Sequence, residues 1–253
     1  MPAPEPDVIR VLREYRERLD AKEDGLMRDM ATHWLSVEQR LEADMALLAR
    51  ETAERVADGR AVTEQMIWKT ERYQVLKAQM EDEIRKYNTT YAASAISTAQ
   101  EQYALLGIDA AQAAINASYG PMGAYWNRIN LGAVQSMIGF AGDGSPLSKL
   151  LKESYPDSMD GLLKALINGV ARGQNPAQTA KDMADGLGMG LERGLLIART
   201  ETARAYRTGS TEQYRQSGVV RGFKRLVKKA TACMACLMLD GETFDLADEL
   251  GDH

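Results

Sequence analysis

Apolar residues recur at three- and four-residue steps from the start of the chain: Val8, Leu12, Tyr15, Leu19, Leu26, Met30, Trp34, Val37, Leu41, Met45 and Leu48. This near-heptad stripe over about forty residues predicts one long amphipathic helix. Lys22 fills one slot of the stripe, and Gly25 is a place where the helix could bend. Charged residues such as Arg13, Glu17, Arg40 and Asp44 occupy the other faces. Asp7 reads as the N-cap and Asp58-Gly59 as the stop. A second long helix is predicted from Thr63, with Met66 at N3, to about Leu106. Its apolar positions are Ile67, Val75, Met80, Ile84, Tyr87, Tyr91 and Ile96. Gly107 is expected to close it. Asp109 then caps a further helix, with Gln112 completing a capping box, and that helix ends at Tyr119-Gly120-Pro121. The two stripes are expected to pack together as an internal helical hairpin, leaving residual surface for partners.

The middle of the chain changes character. Residues 121–145 are Gly-rich with mixed aromatics and read as loop plus a short helix, the expected domain boundary. Ser145-Pro146 and Asp157-Ser158 mark two helix starts, the second helix stopping at Gly173. Asn175-Pro176 opens another, with Gln178 at N3, and the glycines between Asp185 and Gly190 turn the chain into a last helix from about Leu191. On that helix Leu196, Ala203, Tyr206 and Tyr214 fall on one side, Glu201 and Arg204 have pairing spacing, and Ser217-Gly218 ends it. Val219 to Val227 is β-branched and basic and predicts a strand, with Glu242-Thr243-Phe244 as its hairpin partner.

Composition narrows the class. Only 6% of residues are aromatic, against 45% hydrophobic and 26% charged, which favours packed helices over one large globular core. The 13 methionines fit adaptable helix-packing surfaces. No apolar run approaches the roughly 20 residues a bilayer span requires. The N-terminal MPAPEPDVIR has no apolar signal-peptide core, so a soluble protein made in a cytoplasm is expected. The net charge of -5 decides nothing, but its distribution is uneven. Residues 199–229 carry nine basic and two acidic side chains, whereas six acids and no Lys or Arg follow Leu239. Such asymmetry either orients the chain between charged partners or is satisfied internally.

Candidate chemistry is sparse. Cys233 and Cys236 are spaced as two zinc ligands, and His253 is the one His or Cys after them. The alternatives are a pair of metal-free thiols or a redox motif, the last of which requires the pair to open a helix. The sequence requires no cofactor; zinc is the one this pair could hold. The two cysteines make no disulfide framework, which fits a reducing compartment. His33, beside Trp34 on the first stripe, reads as a packing residue. With two His in the chain and no phosphate-cradling Gly-Lys-Ser/Thr loop, no catalytic constellation emerges. Arg221, Lys224, Arg225, Lys228 and Lys229 form a basic run that could touch DNA phosphates without sequence preference, meet an acidic partner surface, or lie as a solvated or acid-paired strand face.

The order of motifs in the last quarter resembles the Mu F-like head morphogenesis (minor capsid, minor head) proteins of tailed bacteriophages. The resemblance rests on Gly173, Asn175-Pro176, Ile197-Ala198-Arg199-Thr200-Glu201, Ala205-Tyr206, Gly209, Tyr214, Gly218-Val219, Cys233, Cys236 and Leu239-Asp240-Gly241. Two points depart from the family pattern. Lys229 and Ala230 stand where members carry an acid, and the His-Pro and later Cys elements are not met before His253. The resemblance implies a non-enzymatic structural protein, with Arg199, Thr200, Glu201, Tyr206, Asp240 and Gly241 as its structural motif. It implies partners in the portal and in the major capsid or scaffolding protein, double-stranded DNA as a non-specific further partner, and neither a membrane nor a small-molecule substrate. The expected location is the virion, inside the head or at its portal vertex, and the host cytoplasm during assembly, with a role in packaging or DNA exit. A DNA-binding scaffold or a thiol-redox protein using Cys233 and Cys236 are the rival readings. The fold expected is mainly α: a long N-terminal helical hairpin (1–120), a helical middle (121–190) and a small C-terminal α+β module with a β-hairpin (191–253).

Overall fold

The computed structural model describes residues 6–60, 62–120, 151, 155–227 and 233–246. The readings made at 121–146, at Lys228 and Lys229, and at His253 lie outside these residues. The described chain is mainly α. Helix α1 spans Asp7–Ala57, α2 Glu64–Trp68 and α3 Glu71–Lys86. A π-helical turn, Tyr87–Ala92, leads into α4, Ala93–Tyr119. Then come α5 Tyr155–Ala171, α6 Pro176–Leu187, α7 Met189–Ser217, strand β1 Gly222–Lys224, the short α8 Met234–Met238 and strand β2 Thr243–Asp245.

The chain divides into two compact units, one drawn from residues 20–100 and 139–202, the other from 1–19, 101–138 and 203–253. They cut across the consecutive segments read from the sequence. In the first unit the N-terminal hairpin is real. Glu51 pairs with Arg72 at 2.6 Å and Glu83 with Arg40 at 2.7 Å. Tyr87 donates to the Met30 carbonyl at 3.0 Å and Tyr91 to Asp29 at 2.7 Å. Numbers fall along α1 as they rise along its partner, so the two run antiparallel. The predicted stripe supplies the core: Met30, Trp34, Val37, Leu41, Met45 and Leu48 are buried against Leu76, Met80, Ile84 and Ile96. Trp34 meets Tyr87 edge to face at 5.0 Å, an arrangement the ring quadrupoles favour. On the second stripe Val75 departs from the predicted face. It is exposed, and Tyr73 and Leu76 are buried instead.

The predicted second helix is interrupted. Thr63 caps α2 through Met66 N–H as expected, but the chain breaks at Lys69 and restarts with Thr70 as a second N-cap, its hydroxyl accepting from Tyr73 N–H. At its far end the error runs the other way. Gly107 does not close a helix and Asp109 does not open one; both lie inside α4, which ends at Gly120 with φ +81°. The reason lies in packing within the second unit. A Cβ on Gly107 would sit 2.2 Å from the Tyr206 carbonyl oxygen, and one on Gly209 would sit 2.3 Å from the Ala104 carbonyl oxygen. Reciprocal glycines thus let the backbones of α4 and α7 touch, and there the glycine is a contact residue rather than a terminator.

The buried face of α7 is also not the one expected. Leu196 is exposed, while Ala198, Thr202, Ala205, Gly209 and Gln213 are buried. Small residues occupy this face because the helices approach closely. Elsewhere the local signals hold. Asn175 caps α6 with Pro176 in the first turn, Gly173 takes φ +62°, and Gly218 takes φ +65° after α7. Helix α5 begins at Tyr155, two residues before the expected start, with Pro156 in the first turn where its missing N–H is not needed.

Candidate functional site

The motif residues on α7 hold helices together. Arg199 is exposed, and its guanidinium donates to Glu23 of α1. Thr200 is exposed and bonds back to the Leu196 carbonyl at 2.9 Å within its own helix. Glu201 is half-buried and accepts from the Gln100 amide of α4 at 3.3 Å. Tyr206 is half-buried near Tyr15 and Arg16; burial pushes its hydroxyl pKa up, with the Arg16 charge opposing. Burial likewise pushes Tyr214 up to about 12.

The terminal module begins where α7 stops. Ser217 Oγ accepts from the amides of Val219 and Val220, both at 3.3 Å, turning the chain out of the helix. Strands β1 and β2 pair antiparallel with Phe223 opposite Phe244. The strand is shorter than the predicted 219–227, although its partner is the expected one. A Cβ on Gly222 would meet the Phe244 carbonyl oxygen at 2.3 Å, so the pairing needs glycine there. Phe223 packs edgewise on Tyr214 at 5.7 Å, tying the hairpin to α7. The Asp240-Gly241 pair closes the connection. Asp240 Oδ1 accepts from Val227 N–H at 3.0 Å, while Gly241, at φ +87°, donates its N–H to the Arg225 carbonyl at 2.8 Å. Both are joints of the hairpin.

The cysteines lie in that connection, and the pair opens a helix, one of the two requirements of a redox motif. Cys233 is the N-cap of α8, and its Sγ accepts from Cys236 N–H at 3.4 Å. That backbone donor is the largest of the influences holding the Cys233 thiol below its ordinary pKa. Cys233 is exposed, Cys236 half-buried, and neither is in a disulfide. Arg225 donates to Cys236 Sγ at 3.5 Å. The flanking strands are antiparallel, so this is not a βαβ unit. As a zinc site the described residues offer two sulfurs. No group of three or more His, Cys, Asp or Glu with metal-binding proximity occurs among them.

The basic run does not form one row. Along a strand, side chains alternate between faces, so Arg221 and Arg225 share one and Lys224 lies on the other. Arg221 and Lys224 are exposed, and Arg225 is turned toward Cys236.

Residues 160–253, less than half of the chain, match the family model described as Phage Mu protein F like protein. No curated protein and no solved structure matches the chain. No helix among the described residues is long and apolar enough to cross a membrane.

The partners Glu23 and Gln100 and the Gly107–Gly209 contact were missed from the sequence. Gly209 belongs to the family pattern. The spacing of small residues at Ala104, Gly107 and Ala111 was the signal that could have exposed its counterpart.

Proposed function

We propose that this chain is a structural minor head protein of a tailed bacteriophage that docks at the portal and the capsid interior during head assembly, and performs no reaction. One observation carries the reading. Over the segment that matches the family, the motif residues Arg199, Glu201, Asp240 and Gly241 act as joints between helices and strands. A catalytic set would instead converge on a common cavity. The partners proposed are the portal protein and the major capsid or scaffolding protein, in the host cytoplasm first and in the virion afterwards. A role in DNA packaging or exit belongs to the same proposal. Purified heads assembled with a tagged chain should contain it at low copy number, and Glu201→Ala should lower both its melting temperature and its incorporation. Absence of the chain from purified heads overturns the proposal.

A thiol-redox role is the second reading, and one observation favours it: the exposed Cys233 thiol sits at the start of α8 with its pKa lowered. Head assembly unchanged by Cys233→Ser and Cys236→Ser, with no loss of any thiol-exchange activity, eliminates it. For the DNA-scaffold reading, binding that falls steeply with salt and is lost on neutralising Lys224, Arg225, Lys228 and Lys229 is the required result.

A further inference from the structure

We infer that the outer edge of β1 is a docking site for an extended, acidic and apolar segment of a partner protein, which adds to the hairpin as a third strand. Among the described residues β1 has one strand neighbour, β2. The register joins Phe223 to Phe244, and the Arg221 carbonyl and Arg225 N–H also bond across to the β2 side. In an antiparallel ladder the intervening residues turn their peptide groups the other way. Gly222 and Lys224 therefore present theirs away from β2.

That edge does not face open solvent alone. A groove of about 870 Å³ runs along residues 219–224, with Val8 and Leu12 of α1 and Ile115 and Tyr119 of α4 on its far side. Among the described residues that line it, none belongs to β2, as a groove beside the free edge of β1 requires. Leu12 and Tyr119 are exposed, so the groove holds uncovered apolar surface. Among the described residues that line it, Arg221 and Lys224 are cationic and none is a carboxylate.

These features select the occupant. Backbone groups along a strand edge bond to another extended backbone, and the apolar walls take alternate side chains of that strand. Arg221 and Lys224, one on each face of β1, meet Asp or Glu side chains of the added segment. A DNA backbone would use the cations but neither the apolar walls nor the strand edge. The assignment of the partner to the phage head rests on the function proposed above; the chemistry of the segment does not.

The test uses the full chain and fluorescein-labelled short peptides in which Glu alternates with Val or Ile, read by anisotropy. Controls are the same peptides N-methylated at alternate amides, peptides with Lys in place of Glu, and a labelled DNA duplex. Saturable binding of the Glu peptides is expected. The double variant Arg221→Glu with Lys224→Glu should weaken it by roughly tenfold or more. Lys224→Pro, which removes an outward N–H while sparing the β2 side, should abolish it, as should N-methylation. Thermal melting confirms that each variant is folded, and the charge-reversal variant keeps the test alive if the proline variant unfolds. Four results overturn the inference: no saturable binding by any Glu peptide, equal binding by N-methylated peptides, binding of the duplex alone, or self-association lost in Lys224→Pro without peptide binding. Peptide binding by a chain that never enters heads would sink the proposed function and leave this inference standing.

Discussion

The contact between α4 and α7 offers the sharpest test of how the fold is held. Gly107→Ala places a methyl group 2.2 Å from the Tyr206 carbonyl oxygen, and Gly209→Ala places one 2.3 Å from the Ala104 carbonyl oxygen. Both obstacles are backbone atoms of a helix, so no rotamer change relieves them. The helices would have to separate by more than about 1 Å to restore ordinary contact, and dispersion along the whole seam weakens with that separation. Overpacking of this kind costs about 1–3 kcal/mol, occasionally more. Against it stands the helix-propensity gain of alanine over glycine, about 1 kcal/mol. The clash is with rigid backbone, so a net loss of about 2 kcal/mol is expected for either variant. The control is Gly25→Ala in α1, where a Cβ meets nothing within 4 Å and only the propensity gain remains. In urea unfolding followed by circular dichroism, Gly107→Ala and Gly209→Ala should shift the midpoint down and Gly25→Ala slightly up. The double variant should lose less than the sum of the singles, since one separation of the helices relieves both clashes. If Gly107→Ala and Gly209→Ala prove as stable as the parent, the close backbone contact is not what these glycines serve.

Three further outcomes are expected. Burial raises the pKa of Glu38, with Asp185 adding and the Trp34 indole hydrogen bond opposing. A carboxyl raised on folding favours the folded state when protonated, and that advantage is lost as pH rises through its folded value. Glu38→Gln, which keeps an acceptor for the indole, should therefore raise the melting temperature at pH 7 and lose that advantage below about pH 4; a lower melting temperature at pH 7 would contradict this. Cys233 should react with iodoacetamide at neutral pH before Cys236, as its lowered pKa and exposure require, and mass-spectrometric mapping that finds the reverse order refutes the helix-cap account. Asp240→Ala removes the acceptor of Val227 N–H and should destabilise the hairpin by about 1 kcal/mol. Faster amide exchange at Val227, with the core of α1 unchanged, is the expected readout.

Much of this fold could be read along the chain because local physics determines it. From Met30 to Leu48 the α1 stripe foretold its own core residues, since the hairpin partner covers that side, whereas Leu12 on the same stripe stays exposed. Thr63, Asn175, Gly173 and Gly218 announced helix ends through groups that act on their own neighbours within a turn. The C-terminal hairpin was legible from β-branched residues and from the Asp240-Gly241 turn, and the order of motifs around it pointed to the family whose model matches residues 160–253. Other features depended on what arrives from far away in sequence. Gly107 looks like a stop until α7 lies against it, because a missing side chain means an end in isolation and a contact when another backbone approaches. The partners of Arg199 and Glu201 come from α1 and α4, and no spacing within α7 encodes them. The groove beside β1 exists because residues from both ends of the chain and from α4 meet there, so its walls and its cations become one surface only after folding.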